Sequence, residues 1–177
     1  LLLVLGTLSF WLREAGIDRA TIGFLSWIGL AYGFKWAWAP LVDRLRLPLL
    51  HRWLGRRRSW LLFAQVGIAC ALVGVALSDP QQSLSQLVGF ALATAFLSAT
   101  QDIALDAWRI ESATLDMQGA MAATYQAGYR LAMITASAGA LWIAAGIAGG
   151  EGYHYEAWRG TYLAMAGLML VGMAVTL

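Results

Sequence analysis

One cysteine, two histidines and three prolines are all that 177 residues hold of those types, and charged residues make up only 12%. Each scarcity excludes something. A lone thiol, Cys70, closes no intrachain disulfide, and inside an apolar segment it is expected to be a small packed side chain. His51 and His154 are isolated, so no metal-ligand cluster and no cofactor are expected. There is no nucleophile elbow and no phosphate loop. No clustered catalytic set can be assembled, which argues against an enzyme. A soluble domain would carry about a quarter charged residues. Here 60% of residues are hydrophobic and mean hydropathy is +0.64, the composition of a membrane protein.

No signal peptide is visible: the chain opens on Leu1 without a basic leader or a small-residue cleavage site. It reads as a fragment that begins and ends inside hydrophobic segments. A helix needs about 20 apolar residues to cross the hydrocarbon core. Six segments qualify or nearly do, at roughly 1–12, 21–42, 59–77, 84–109, 119–147 and 158–177. The expected fold is therefore all-α, a six-helix membrane bundle whose first helix is cut short. Trp11, Trp38, Trp60, Trp108 and Trp158 fall near span ends, where an interfacial position is expected, and Trp27 falls deeper, where packing is expected. Small residues in the fifth segment, among them Ala132, Ala136, Gly139, Ala140 and Ala144, favour close helix approach in lipid.

The net charge of +2 is unevenly spread. Residues 43–58 hold six arginines against Asp43, six minus one or +5. Apolar spans flank that run on both sides, which makes nucleic acid a poor partner. The positive-inside rule instead places loop 43–58 in the cytoplasm, together with the acidic loop 110–118. The loops at 13–19, 78–85 and 149–157 then face the other side.

Ionisable residues inside apolar spans are costly and mark function by default. Asp102 and Asp106 lie about 40° apart around a helix, and Arg109 lies about 20° to the other side of Asp102. All three share a face, and Asp106 and Arg109 are spaced to pair. Desolvation and a nearby cation would compete over the aspartate proton, making either carboxylate a candidate proton carrier. The alternative is a pair of solvated helix-end groups. Gln101, beside them, is a candidate hydrogen-bonding group for a substrate or a neighbouring helix. In the fifth span Gln126, Arg130 and Ser137 form a polar stripe, with Tyr125 and Tyr129 flanking Arg130. A buried arginine needs an anion. An aspartate of the fourth span and a substrate group are both open. Lys35, amid Tyr32, Trp36 and Trp38, either snorkels to the interface or faces a cavity. Asp43 and Arg44 at one helix end, and Gly55-Arg56-Arg57-Arg58 opening the next, are placed to clamp helix ends by charge. Such a clamp can gate a rocking bundle as well as set topology.

This last motif resembles the signature between the second and third helices of the major facilitator superfamily. It departs from the usual form, with Ala39-Pro40 where a glycine often begins the motif and with a longer spacer. The strings Phe34 to Arg44, Leu54 to Leu61, Ser98 to Trp108 and Gly128 to Met133 are similar to the muropeptide permeases. Acetyl-coenzyme A transporters look related and share the Ala-Pro, Gly-Arg-Arg and Asp-x-x-x-Asp-x-Trp features. The resemblance implies a twelve-helix permease of the bacterial inner membrane, with the N-terminal half here and a C-terminal half as partner. It implies proton-driven import of anhydro-muropeptides for cell-wall recycling, through a cavity between the halves. Lys35, Gln101, Asp102, Asp106, Arg109, Gln126, Tyr129 and Arg130 are the expected substrate and proton pathway. Asp43, Arg44, Gly55, Arg56, Arg57 and Arg58 are the expected cytoplasmic gate. An acetyl-coenzyme A carrier and a non-transporting membrane subunit are the alternatives.

Overall fold

The computed structural model describes residues 1–48, 50–150 and 152–177. The described residues are almost wholly helical, as an apolar chain in lipid must be, because a helix satisfies its own backbone polar groups. Four stretches are long and apolar enough to cross a membrane. They are α5 (His51–Ala76), α6 (Pro80–Ser112), the continuous run Gln118–Ala148, and α9 (Tyr155–Thr176). The run Gln118–Ala148 comprises α7 (Gln118–Ile134), a π-helical turn (Thr135–Gly139) and α8 (Ala140–Ala148). The chain is an all-α, multi-pass membrane protein.

The first expected span is a π-helical turn (Leu3–Thr7) followed by α1 (Leu8–Glu14). The second, 21–42, is not one helix. It breaks into α2 (Arg19–Leu25), α3 (Ile28–Gly33), a 3₁₀ turn (Lys35–Ala37) and α4 (Ala39–Arg44). Pro40, in the first turn of α4, has no N–H to continue the ladder from above. The break swings Lys35 out of helical register and toward α6. The basic loop is shorter than 43–58, because α5 starts at His51. Gly55 interrupts it at φ +73°, ψ −179°, a conformation essentially reserved for glycine. The Gly55 carbonyl accepts a bond from Ser59 Oγ at 2.5 Å, and the three arginines between them fan out around the helix.

α5 is the central helix, packed on α6 and α9. Its seam is built from small residues. A side chain added at Gly67 would stand 2.7 Å from Leu97, and one at Gly74 would run into the Phe90 ring. Ala91, Ala95 and Ala99 of α6 are fully buried at four-residue spacing. Without a hydrophobic drive between helices in lipid, such close approach is what holds them. In the fifth span only Ala140 and Ala144 of the small residues are buried, so the expected close approach is confined to α8.

The loops 15–18 and 77–79 and residues 152–154 gather at one end. There Trp158 Nε1 donates to Glu14 at 2.7 Å, Gln81 Nε2 to the Ala15 carbonyl at 3.0 Å, and the Tyr153 hydroxyl to Asp79 at 2.9 Å. Trp11 and Trp158 depart from the interfacial expectation. They are 0% and 2% exposed and stack 5.9 Å apart at 8°. Their rings fill the space between α1 and α9, and the N–H of each finds a polar partner. Trp60 is buried as well, bonded to the Leu45 carbonyl. Trp27, expected to pack, is 67% exposed, because the broken second segment leaves it outside the bundle. Cys70, also expected to pack, lies on the exposed side of α5.

Candidate functional site

Asp102 sits ten residues before the end of α6, about 15 Å along the helix from Ser112. That places a carboxylate inside a span, nearer its basic end than its middle. Lys35 Nζ lies 2.5 Å from Oδ2, and the Tyr32 hydroxyl donates to the same oxygen at 2.6 Å. The Tyr125 hydroxyl donates to Oδ1 at 3.2 Å. Lys35 also lies over the Tyr32 ring, 5.1 Å from its centre. The pair is half-buried, with side-chain exposures of 34% for Lys35 and 19% for Asp102.

Lys35 therefore does not snorkel. The turn that follows Gly33 aims it toward α6, where Asp102 compensates its charge. Asp106, one turn nearer the basic end, is 3.5 Å from Arg109, the pairing that the spacing predicts. Arg109 lies over the Tyr125 ring at 5.0 Å. Tyr32 and Tyr125 were not among the expected pathway residues. Tyr125 has a sequence signal, since it precedes Tyr129 by one helical turn. Tyr32 has none, because the helix break fixes its direction.

A cleft of about 640 Å³ opens beside this cluster. Tyr32, Gln101 and Asp102 line it from one side, and Tyr125, Gly128 and Tyr129 from the other. Ile68, Leu72 and Met165 form its apolar wall. A few convergent polar groups in a mostly apolar cleft is the usual form of a small-molecule site.

Arg130 and Gln126 are not on that wall. With Gly128 facing the cleft, Thr124 and Ala132 lie about 40° to either side, whereas Gln126 and Arg130 both lie about 160° away. Both are exposed, and Arg130 has no ion pair or hydrogen bond among the described residues. Of the two partners left open for Arg130, an aspartate of α6 is not reached, because the helix turns the two sets of residues in opposite directions.

At the basic end, Arg57 bridges two helices. Its Nη1 lies 2.5 Å from Asp43 and its Nη2 lies 2.5 Å from Glu111, with Nε also donating to Glu111 at 3.1 Å. Arg56 adds a longer contact to Glu111 at 3.6 Å. The clamp thus joins α4, α5 and α6. Glu111 was expected only as part of an acidic loop. Its location at the same end as the arginines was the available signal. Two expected members stand apart: Arg44 is exposed without a partner among the described residues, and Arg58 donates to the Thr176 carbonyl at 2.7 Å, tying α5 to α9. Among the described residues no group of His, Cys, Asp and Glu is arranged to hold a metal.

No family model matches the chain. Curated proteins do. The anhydromuropeptide permease of Escherichia coli is 38% identical over 177 residues, all of this chain and 34% of that protein. Putative transporter AmpG 4 of Rickettsia felis is 40% identical over 144 residues, 81% of this chain and 34% of that protein. An uncharacterized protein of Haemophilus influenzae is 35% identical over 170 residues, 96% of this chain and 37% of that protein. The chain spans about a third of the length of the curated relatives it matches. It is an AmpG-like sequence, similar along its whole length to the anhydromuropeptide permeases.

Proposed function

We propose that the chain is the N-terminal membrane half of a proton-coupled permease of the major facilitator type, importing anhydro-muropeptides across the bacterial inner membrane. The observation that carries this reading is the Lys35–Asp102 pair, capped by two tyrosine hydroxyls and set on the wall of a cleft. Such a pair is a switch. Protonating Asp102 removes the charge that holds Lys35 and frees the lysine for a peptide carboxylate. Releasing the proton restores the pair and ejects the anion. Tyr129 and Tyr125 offer ring faces to a sugar, and the Gln101 amide offers both a donor and an acceptor. The Arg57 clamp would tie the cytoplasmic helix ends in one arrangement and let go in another.

The similarity to a permease that carries this substrate in its name supports the substrate assignment. The test is uptake by the full-length gene product in proteoliposomes under an inward proton gradient, with anhydro-muropeptide and acetyl-coenzyme A offered separately. Gradient-dependent uptake of the muropeptide is the expected result. Uptake of acetyl-coenzyme A alone would move the chain to the sister group. Uptake of neither would favour a non-transporting subunit.

A further inference from the structure

Arg13 lies in the last turn of α1 and Arg19 opens α2, at the end of the bundle opposite the arginine clamp. The chain doubles back between them through Gly16, at φ +80°. Both arginines are exposed, and with Ser9, Phe10 and Ile22 they line one pocket of about 260 Å³. Neither guanidinium has an ion pair or hydrogen bond among the described residues. Acids of this end are engaged elsewhere: Glu14 accepts from Trp158, Asp18 from the Thr21 N–H and hydroxyl, and Asp79 from Tyr153. The third arginine there, Arg159, is paired with Glu156. Two unpaired cations thus share a pocket on the side that the positive-inside rule leaves poor in them. Like charges held together repel, and an anion between them turns that repulsion into attraction.

Depth tells which anion. Phe10 precedes Arg13 by three residues and Ile22 follows Arg19 by three. On each helix an apolar side chain therefore stands about 4.5 Å deeper in the membrane than the cation. The Ser9 hydroxyl is already given to the Leu5 carbonyl at 2.9 Å, which leaves the guanidiniums as the donors. The pocket shares no residue with the Asp102 cleft, and it is smaller than the ~300–1,000 Å³ that whole small molecules occupy. We infer that Arg13 and Arg19 hold the phosphodiester of an anionic phospholipid in the leaflet opposite the clamp, with its acyl chains lying over Phe10 and Ile22. Guanidinium forks match phosphate oxygens. A zwitterionic lipid would bring its own cation up to the two arginines. The site stands apart from the Asp102 cleft and does not depend on the permease reading.

The test uses the full-length protein in lipid nanodiscs that contain phosphatidylglycerol with a photoreactive diazirine near the headgroup end of one acyl chain. Phosphatidylcholine bearing the same chain is the reference, and adducts are mapped by peptide mass spectrometry. Residues 8–22 are expected to label at least about fivefold more with phosphatidylglycerol, the preference that roughly one surface arginine supplies. The Arg13→Gln, Arg19→Gln double variant is expected to fall to the reference level. Equal labelling by the two lipids, or an excess that survives both substitutions, would overturn the inference. Loss of the excess to added inorganic phosphate would make this a site for free anions, and loss to anhydro-muropeptide would make it part of the substrate path; either result overturns it too. The lipid comparison and the competitions need no variant, so a substitution that fails to fold does not hide the answer.

Discussion

α6 carries two charged knots, and they are opposites. At the helix end, one cation, Arg57, is shared between two carboxylates. Further inside the span, one carboxylate, Asp102, is shared among a cation and two hydroxyls. The outer knot has half-exposed partners, with Asp43 and Glu111 side chains 48% and 49% accessible. Water can solvate either carboxylate when it lets go there, although Arg57 itself is only 12% accessible. The inner knot has Asp102 only 19% accessible, and removing one of its partners leaves a charge with little to solvate it. On the proposed reading, similar pairs serve different ends: the outer one would open and close as its exposed carboxylates are released to water, and the inner one would change when a proton moves.

The largest expected effect comes from breaking the inner knot on one side. Lys35→Met strands the Asp102 carboxylate and should destabilise by roughly 2–3 kcal/mol, discounted from the ~3–5 kcal/mol of a fully buried pair because the lysine is partly accessible. Adding Asp102→Asn should recover much of that loss, which a double-mutant cycle on denaturant unfolding would read. Additive losses would mean the two residues are not coupled.

Packing supplies the next effect and separates charge from shape. Gly74→Val drives a methyl into the Phe90 ring and should cost about 1–3 kcal/mol. That loss should not vary with salt. Arg57→Gln, at the outer knot, should cost about 1 kcal/mol at low ionic strength and less as salt rises. Melting curves at two salt concentrations distinguish the pair, and a salt-independent Arg57 effect would break the contrast between the knots.

A further comparison lies at the opposite end of the bundle, where a neutral donor meets a carboxylate. Burial, together with the bond to Asp79, pushes the Tyr153 hydroxyl up to about 12, against an opposing bond from Trp11. A folded-state pKa above the unfolded value of 10.0 gives stability that is full below pH 10 and is lost as pH rises toward 12. An absorbance titration of phenolate, compared with Tyr153→Phe, reads this directly. Ionisation near pH 10 in the folded protein would contradict the contact.

Much of this was legible in the sequence. The shared face of Asp102, Asp106 and Arg109 follows from helical spacing alone, and the arginine run announced a clamp. The Lys35–Asp102 pair was not legible. Its members lie 67 residues apart, and Lys35 reaches α6 only because the second segment breaks between Gly33 and Ala39. A pattern of apolar residues gives a span but not its interruption. Arg130 shows the opposite limit. Its angle from Gly128 around the helix follows from spacing, yet nothing in a single sequence says which face of α7 meets the cleft. Trp11 and Trp158 look like interface anchors by position, and only the packing of α1 on α9 turns them into core.

Asp102 as the coupling carboxylate is the central claim, and one paired measurement tests it. Full-length protein bearing Asp102→Asn is compared with the parent in proteoliposomes for two activities: accumulation of anhydro-muropeptide driven by a proton gradient, and exchange of labelled for unlabelled muropeptide with no gradient. Loss of accumulation with exchange retained is the predicted result, since a neutral amide can still line the cleft but cannot carry the proton. Accumulation at the parent's level in the variant would contradict that role for Asp102.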